Sequence, residues 1–370
     1  MDFLKRHLRA VVASLALAVG FAWVLRAGAL PLFPPKGTLD SLNVQLVALT
    51  AVCLLVSMVT RLARSHFLLV PIADISFQRV LSALCVSLGL ITFLPFRLGE
   101  LARPALLREK GKLSGWAVTA TVGAERIIDG LVFGAMLLLG LAFAKPHEPL
   151  PDHIGSLPVP AAFVPRAALL ATVGFGGAFV VMLLFFLWRD LARRVTERVL
   201  GLFSERFATF VADAVARVSD GLRFLPNFRY TGAFLAVTVF SLSTHIVALQ
   251  LLARAVGLPE LTFAQATVVL GVLALGFAVP NAPGFFGAIQ LALYAGLAVY
   301  IEPAKVVREG AAFVFVFYVL YLCSVILVTA SGLVGESLLS RRAARAGAAG
   351  PSSLPPAEPH DGRGPRAGNG

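Results

Sequence analysis

The chain has 370 residues, of which 58% are hydrophobic and only 14% are charged, and its formal net charge is +12. Soluble domains average about 45–50% apolar and about 25% charged residues, so this composition excludes an ordinary soluble protein. The basic residues stand in short blocks between apolar runs, which is typical of inner-leaflet anchoring rather than of nucleic-acid binding. The sequence therefore predicts an all-α integral membrane protein without a nucleic-acid partner.

Nine apolar segments approach or exceed the about 20 residues that cross a bilayer core. Short connections rich in proline or glycine separate most of them. We interpret the first as a retained span rather than a cleaved signal peptide, because Arg26 and further apolar residues follow its apolar core. The nine candidates are Leu8–Leu30, Leu42–Thr60, Arg79–Leu94, Ser114–Phe143, Ala162–Leu187, Tyr230–Val256, Phe263–Val279, Phe285–Tyr300 and Ala311–Leu339.

The distribution of positive charge predicts that Arg79–Leu94 does not cross. Basic connections flank it on both sides, and a full crossing would place them on opposite faces of the membrane, against the positive-inside rule. The conflict disappears if the segment enters from the cytoplasm, turns at Pro95 and returns through Leu98–Arg108. The sequence therefore predicts a re-entrant hairpin here.

A second hairpin is predicted near the other end of the chain, where Phe263–Val279 runs into Pro280–Gly284 and Phe285–Tyr300 returns. The fold is then six full transmembrane helices plus two re-entrant helical hairpins, with both termini cytoplasmic. The five basic connections, which hold most of the 32 lysines and arginines, all face inward in this topology. Hairpins that enter from opposite faces further predict an inverted repeat around a mid-membrane site.

Three parts of the chain are distinguished by composition. Residues 1–340 form the polytopic membrane domain, and 341–370 are rich in Gly, Pro and Ala, which predicts a disordered cytoplasmic tail. The cytoplasmic connection 189–229 has apolar residues at helical spacing and is interpreted as an amphipathic helix, either a structural brace or a regulatory element. Its apolar stripe is Val199, Phe203, Phe207, Phe210, Ala214 and Val218.

Six charged residues form the candidate site. Arg97, Glu100 and Arg103 follow the predicted turn at Pro95, and the next helix carries Glu125, Arg126 and Asp129. Glu125 and Asp129 share a helix face, while Arg126 and Asp129 are close enough to pair. Each charged side chain at the centre of a membrane helix costs about 2.5–3.5 kcal/mol on insertion scales, so six of them indicate a structural or functional role.

The six charges balance, and two interpretations follow. The set is either a structural network that pins the hairpin to the helix, or an anion site in which a phosphate displaces a carboxylate from an arginine. No catalytic nucleophile and no metal-ligand spacing is evident, so neither a catalytic residue nor a metal or other cofactor is predicted. His245 is interpreted as a satisfied polar contact and Asn281 as a helix-end residue.

The motifs resemble the transmembrane-domain family of lysylphosphatidylglycerol synthase, the flippase half of the multiple peptide resistance factor. The family pattern of a Pro followed by R-x-G-E-x-x-R is matched by Pro95, Arg97, Gly99, Glu100 and Arg103. Its E-R-x-x-D helix is matched by Glu125, Arg126 and Asp129. Its P-G-x-x-G-x-x-E motif is matched by Pro283, Gly284 and Gly287, with Gln290 at the position of the final Glu.

The resemblance implies a lipid-translocating fold in the plasma (inner) membrane. The expected partner is an anionic phospholipid or a polyprenyl-linked phosphate, and the oligomeric state is left open. No segment after Ser340 resembles the soluble synthase domain, so the chain is expected not to be an enzyme. Two alternatives are an intramembrane lipid-modifying enzyme and a non-transporting adaptor for a lipid or envelope biosynthetic enzyme.

Overall fold

The computed structural model describes residues 2–27, 30–72, 74–94, 99, 100, 102–111, 115–146, 153, 156, 163–188, 222, 224–259, 261–278 and 282–348. These residues form helices and turns and contain no strand, which confirms the all-α prediction. In chain order the helices are α1 (Asp2–Ala27), α2 (Val44–Ala63), α3 (His66–Leu69), α4 (Phe77–Phe93), α5 (Ala102–Gly111), α6 (Gly115–Phe143), α7 (Phe163–Leu187), α8 (Phe228–Ala255), α9 (Phe263–Ala278), α10 (Ala288–Ala298), α11 (Pro303–Val307) and α12 (Glu309–Ala348).

Five helical segments in the described part of the chain are long and apolar enough to cross a membrane. Each overlaps one of the six predicted full spans. The sixth predicted span falls on α1, where the apolar segment found is the shorter Ala16–Ala27. The membrane class is thus confirmed, and the count of six crossings stays a prediction. The five segments are Val44–Leu69, Gly115–Phe143, Phe163–Leu184, Phe228–Ala255 and Glu309–Arg341.

Helices α2 and α8 form an antiparallel pair joined by two reciprocal hydrogen bonds. The hydroxyl of Ser57 donates to the carbonyl of Ser241 at 2.9 Å, and the hydroxyl of Ser241 donates to the carbonyl of Ser57 at 2.8 Å. At one end of the pair the Asn43 N–H donates to the carbonyl of Ala255 at 3.0 Å. Small polar side chains that bond across the contact let these two apolar helices approach closely.

The two helices also begin in the same way. Asn43 caps α2 by accepting from the N–H groups of Gln45 and Leu46, and Asn227 caps α8 by accepting from the N–H of Arg229. Such caps satisfy N–H groups that have no partner within the helix. An asparagine cap of the same kind therefore marks the start of each helix.

The short helix α4 ends halfway along the long helix α12. The two run antiparallel, with Gly332 packed against Cys85 and Gly89 packed against Thr329. Phe93, the last residue of α4, is four residues past Gly89, which is about 6 Å further along the axis. Helix α4 therefore ends near the level of Val325, the midpoint of the apolar segment of α12.

The short helix α9 meets α6 in the corresponding way. Gly140 packs against Val268, and Gly271 packs against Leu137, so these helices are also antiparallel. Helix α9 continues seven residues past Gly271 to Ala278, about 10 Å. It therefore ends near the middle of α6. Each short helix thus ends near the middle of a long neighbour, and the two re-entrant hairpins stay a prediction.

The turns after α4 and α9 rely on glycine. A Cβ on Gly99 would overlap the backbone of Leu90 and Ile91, so the returning chain can lie against the end of α4 only without a side chain there. Gly284 and Gly287 have φ of +73° and +83°, in the left-handed region that favours glycine.

Two predicted segments lie largely outside the described residues. For connection 189–229, the structure describes Leu222 and residues 224–229, and Leu222 and Phe224 are buried against Leu68 and Ile128. The predicted amphipathic stripe at 199–218 is not among the described residues. Helix α12 continues to Ala348, eight residues into the segment 341–370 for which a disordered tail is predicted.

Candidate functional site

Helix α6 carries two carboxylates into the interior of the bundle. Glu125 and Asp129 are only 7% and 5% exposed, and they lie on one face of the helix as their spacing predicts. Asp129 is fourteen residues from the start of α6 at Gly115, about 21 Å along the axis. Both carboxylates therefore need partners that compensate for lost hydration.

Two arginines from the end of α2 hold Asp129. Nη2 of Arg64 donates to Oδ1 at 2.6 Å and to Oδ2 at 2.7 Å, and Nη2 of Arg61 donates to Oδ2 at 3.1 Å. The pairing of Asp129 with Arg126, which the sequence spacing allowed, is not the one the structure adopts. Asp129 instead forms ion pairs that join α6 to the end of α2.

Arg64 is the most deeply buried charged side chain of the cluster, at 1% exposed. Its Nη1 donates to the hydroxyl of Thr238 on α8 at 2.6 Å, and its Nε donates to the carbonyl of Arg61 at 3.2 Å. Its guanidinium carbon lies 4.6 Å from the ring centroid of Phe234, within cation–π range. Arg64 therefore joins α2, α6 and α8 through one planar group.

Glu125 has partners on three elements. Nη2 of Arg103, on α5, donates to its Oε2 at 2.6 Å, and the hydroxyl of Ser65 donates to its two oxygens at 3.1 and 3.2 Å. Nη2 of Arg64 is 3.6 Å from Oε1. Arg103 is 8% exposed, and its buried Nε has no hydrogen-bond partner among the described residues. Glu125 is thus supported without Arg103, whereas Arg103 retains an unused donor.

Arg126 and Glu100 form the more exposed side of the cluster. Nη2 of Arg126 lies 3.4 Å from Oε1 of Glu100, and their side chains are 39% and 29% exposed. The Nε of Arg126 is buried and, within the described ranges, has no hydrogen-bond partner. Arg97, the remaining predicted member, lies outside the described residues.

We call these described residues the charged cluster, and it is not neutral. The balance calculated from sequence omitted two arginines, which the structure adds. The described members carry one net positive charge: four arginines face three carboxylates. They are Arg61, Arg64, Arg103, Arg126, Glu100, Glu125 and Asp129. The buried members Arg64, Arg103, Glu125 and Asp129 balance one another, so the excess positive charge lies at the partly exposed Arg61 and Arg126, where a bound anion can compensate it.

Three residues of the cluster region, Arg61, Arg64 and Ser65, are not among the residues predicted from sequence. Arg61 and Arg64 follow the predicted span Leu42–Thr60, so the sequence alone assigns them to the connection after it. Helix α2 instead continues through Arg61 to Ala63, and Arg64 is its C-cap. The available signal was their spacing of three residues, which puts both side chains on one face if the helix continues.

The predicted residues of the second hairpin shape its turn. Pro283 and Gly284 form a short 3-10 turn, and Gly287 precedes α10. The side-chain Oε1 of Gln290, which is 5% exposed, accepts from the N–H of Gly287 at 2.7 Å. A glutamine oxygen caps a helix as a glutamate oxygen does, so the family difference at this position keeps the cap.

No hydrogen bond or ion pair among the described residues joins Pro283, Gly284, Gly287 or Gln290 to the charged cluster. Asn281 lies outside the described residues. The described residues contain no group of three or more His, Cys, Asp and Glu side chains that could hold a metal ion.

An all-helical bundle with several membrane-length apolar helices and a buried arginine–carboxylate cluster defines a multi-pass membrane protein. A family model described as "Lysylphosphatidylglycerol synthase TM region" matches residues 11–328. The chain therefore belongs to this family, as its motifs predicted. No curated protein and no solved structure matches it.

Proposed function

We propose that this protein binds and translocates an anionic phospholipid or a lipid-linked phosphate, with the charged cluster as the headgroup site. The observation that carries the proposal is that four arginines face three carboxylates in the charged cluster, with two of the arginines, Arg61 and Arg126, partly exposed. A guanidinium presents two parallel N–H donors to a phosphate, and it is less strongly hydrated than an ammonium group. The cluster offers this chemistry at a depth where water is scarce.

Arg103 is the residue we assign to the phosphate. Its buried Nε has no partner among the described residues, and Nη2 is held by Glu125 alone. A phosphate can take this guanidinium in place of Glu125, because Glu125 keeps Ser65 and the nearby Arg64. Arg126 and Glu100, the more exposed pair, would meet the headgroup first. Glu125 could also take up a proton as Arg103 leaves it.

The packing of the bundle supports an inverted repeat, the architecture that alternating access requires. Four packed pairs of helices have a counterpart each. The pair α2–α4 corresponds to α8–α9, α4–α5 to α9–α10, α5–α6 to α10–α12, and α4–α12 to α9–α6. Exchanging α2 with α8, α4 with α9, α5 with α10 and α6 with α12 interchanges the two sets. Because the corresponding helices α2 and α8 are antiparallel, the two halves have opposite orientations.

In this arrangement the two hairpins enter from opposite faces and meet at half-depth. We place the chain in the plasma membrane with both termini cytoplasmic, so that the hairpin of α4 and α5 opens inward. The charged cluster then faces the inner leaflet, and the apolar second hairpin faces outward. Rocking of one half against the other would expose the site alternately to the two sides.

Labelling of single cysteines with an impermeant reagent in intact cells tests this topology. In a background without Cys53, Cys85 and Cys323, we expect cysteines at positions 36, 152 and 303 to react and those at 112 and 198 to be shielded. Permeabilised cells provide the control, since all five positions should react there. External labelling at 112 would mean that the first hairpin crosses fully, and the inverted repeat would be lost.

Purified protein in liposomes tests the function itself. We expect wild-type protein to move a labelled anionic phospholipid between leaflets while leaving a zwitterionic one of the same chain length in place, because the cluster is cationic. Mass spectrometry of the same lipids should show no chemical change. Altered lipid mass would favour a lipid-modifying enzyme, and neither movement nor alteration would favour an adaptor.

A further inference from the structure

His245, near the middle of α8, is a titratable side chain outside the charged cluster. Its Nδ1 lies 3.4 Å from the hydroxyl oxygen of Ser57, and its ring centroid lies 6.0 Å from that of Phe317. Its Nε2 is buried and has no hydrogen-bond partner in the part of the chain that the structure describes. A buried polar atom without a partner is destabilising, so this nitrogen calls for an explanation.

The neighbours of His245 indicate which nitrogen can accept a proton. The hydroxyl hydrogen of Ser57 is donated to the carbonyl of Ser241 at 2.9 Å, which leaves the Ser57 oxygen to accept from Nδ1–H of His245. The Nε2 of the neutral ring is then a bare acceptor. Uptake of one proton converts it into a charged N–H donor, which is suited to a phosphate oxygen.

The pseudo-symmetry of α2 and α8 relates His245 to a member of the charged cluster. Ser57 and Ser241, which exchange hydrogen bonds, are 184 residues apart. The same separation relates the two cap residues, Asn43 and Asn227. It also relates Arg61 to His245. His245 therefore occupies in the second half of the bundle the position that Arg61 occupies in the first.

We propose that His245 is a second, proton-dependent phosphate site on the outer half of the lipid pathway, and this inference rests on the proposed translocation function. Arg61 and Arg64 pack beside Thr238 and Ser241 of α8, and Ser241 lies one helical turn before His245. The space between these side chains holds no water-sized volume in this conformation, so a lipid can pass from one site to the other only if the helices separate.

The surroundings of His245 contain few other titratable groups. Arg61 and Arg64 face it from α2, and His66 lies on α3, which also packs on α8. Helix α9 has no titratable residue, and α12 offers Tyr318, Tyr321 and Cys323 between Gly310 and Gly335. An imidazolium at this position would bind phosphate when the outer side is acidic.

Liposome translocation at two external pH values tests the proposal. We expect wild-type protein to move a labelled anionic phospholipid about tenfold faster at an external pH of about 4 than at about 7.5, since the imidazole gains its proton across this range. His245→Gln should be about tenfold slower at the acidic pH and equal at both, since it cannot acquire charge. His245→Asn provides a second neutral variant should the first fold poorly, and His153→Gln, in an exposed connection, is the matched control.

The outcomes separate this site from the function on which it rests. Wild-type protein that moves no anionic lipid would overturn the translocation proposal, and this site with it. Wild-type movement with no pH dependence, or the same pH dependence in a well-folded His245→Gln, would overturn the histidine site alone. Loss of the pH dependence in both His245 variants but not in His153→Gln would support it.

Discussion

Replacing Arg64 by alanine is expected to destabilise the protein more than any other single change in the charged cluster. The side chain is 1% exposed and contacts Asp129, Thr238 and Phe234. Its removal leaves Asp129 in the bundle with only the weaker contact to Arg61. Breaking a buried ion pair in this way costs about 3–5 kcal/mol. Thermal melting in detergent measures the loss.

A double-mutant cycle shows whether that loss belongs to the ion pair. Arg64→Ala combined with Asp129→Ala should be less destabilising than the sum of the two single changes, because no unpaired carboxylate is left. Arg229→Ala, at an exposed position on α8, is the matched control and should melt within about 0.5 kcal/mol of wild type. Additive effects of Arg64→Ala and Asp129→Ala would contradict the pairing in the structure.

Replacing Arg103 is expected to slow lipid movement strongly, with a much smaller effect on folding. Glu125, its partner, keeps the hydroxyl of Ser65 and the nearby guanidinium of Arg64, so Arg103→Ala leaves no bare carboxylate. A lost hydrogen bond to a charged group is worth about 1.5–3 kcal/mol, which predicts a fall in lipid transfer of about tenfold or more. Arg103→Lys keeps the charge but loses the planar fork, so transfer should fall while the melting temperature stays near that of wild type.

Melting and lipid transfer measured on the same preparations separate the two roles. A purely structural network predicts that Arg103→Ala lowers the melting temperature as Arg64→Ala does, with wild-type transfer per folded molecule. A phosphate site predicts the reverse order for the two arginines, with Arg64 governing stability and Arg103 governing transfer. Unchanged lipid transfer by well-folded Arg103→Ala protein would contradict the proposal that Arg103 binds phosphate.

The sequence by itself determined the class of the protein and the position of several elements. Transfer of apolar residues into a bilayer is favourable residue by residue, so composition and run length suffice to recognise membrane helices. The turn at Pro283–Gly284 follows from local backbone chemistry, which a short stretch of sequence carries. The common face of Glu125 and Asp129 follows from helical periodicity alone, and both proved buried.

Only the tertiary structure decided which partners these residues have. Asp129 is bound by Arg64, 65 residues away in sequence, rather than by the neighbouring Arg126, and Arg64 in turn bonds Thr238 across 174 residues. Hydropathy places an arginine at the end of a membrane helix in the cytoplasm, because a hydropathy scale considers only the transfer of that residue between water and lipid. Whether that arginine turns inward depends on carboxylates and hydroxyls that other helices bring to it. Such partners become visible only when the helices are packed, because the Coulomb and hydrogen-bond terms that reward burial act between residues remote in sequence.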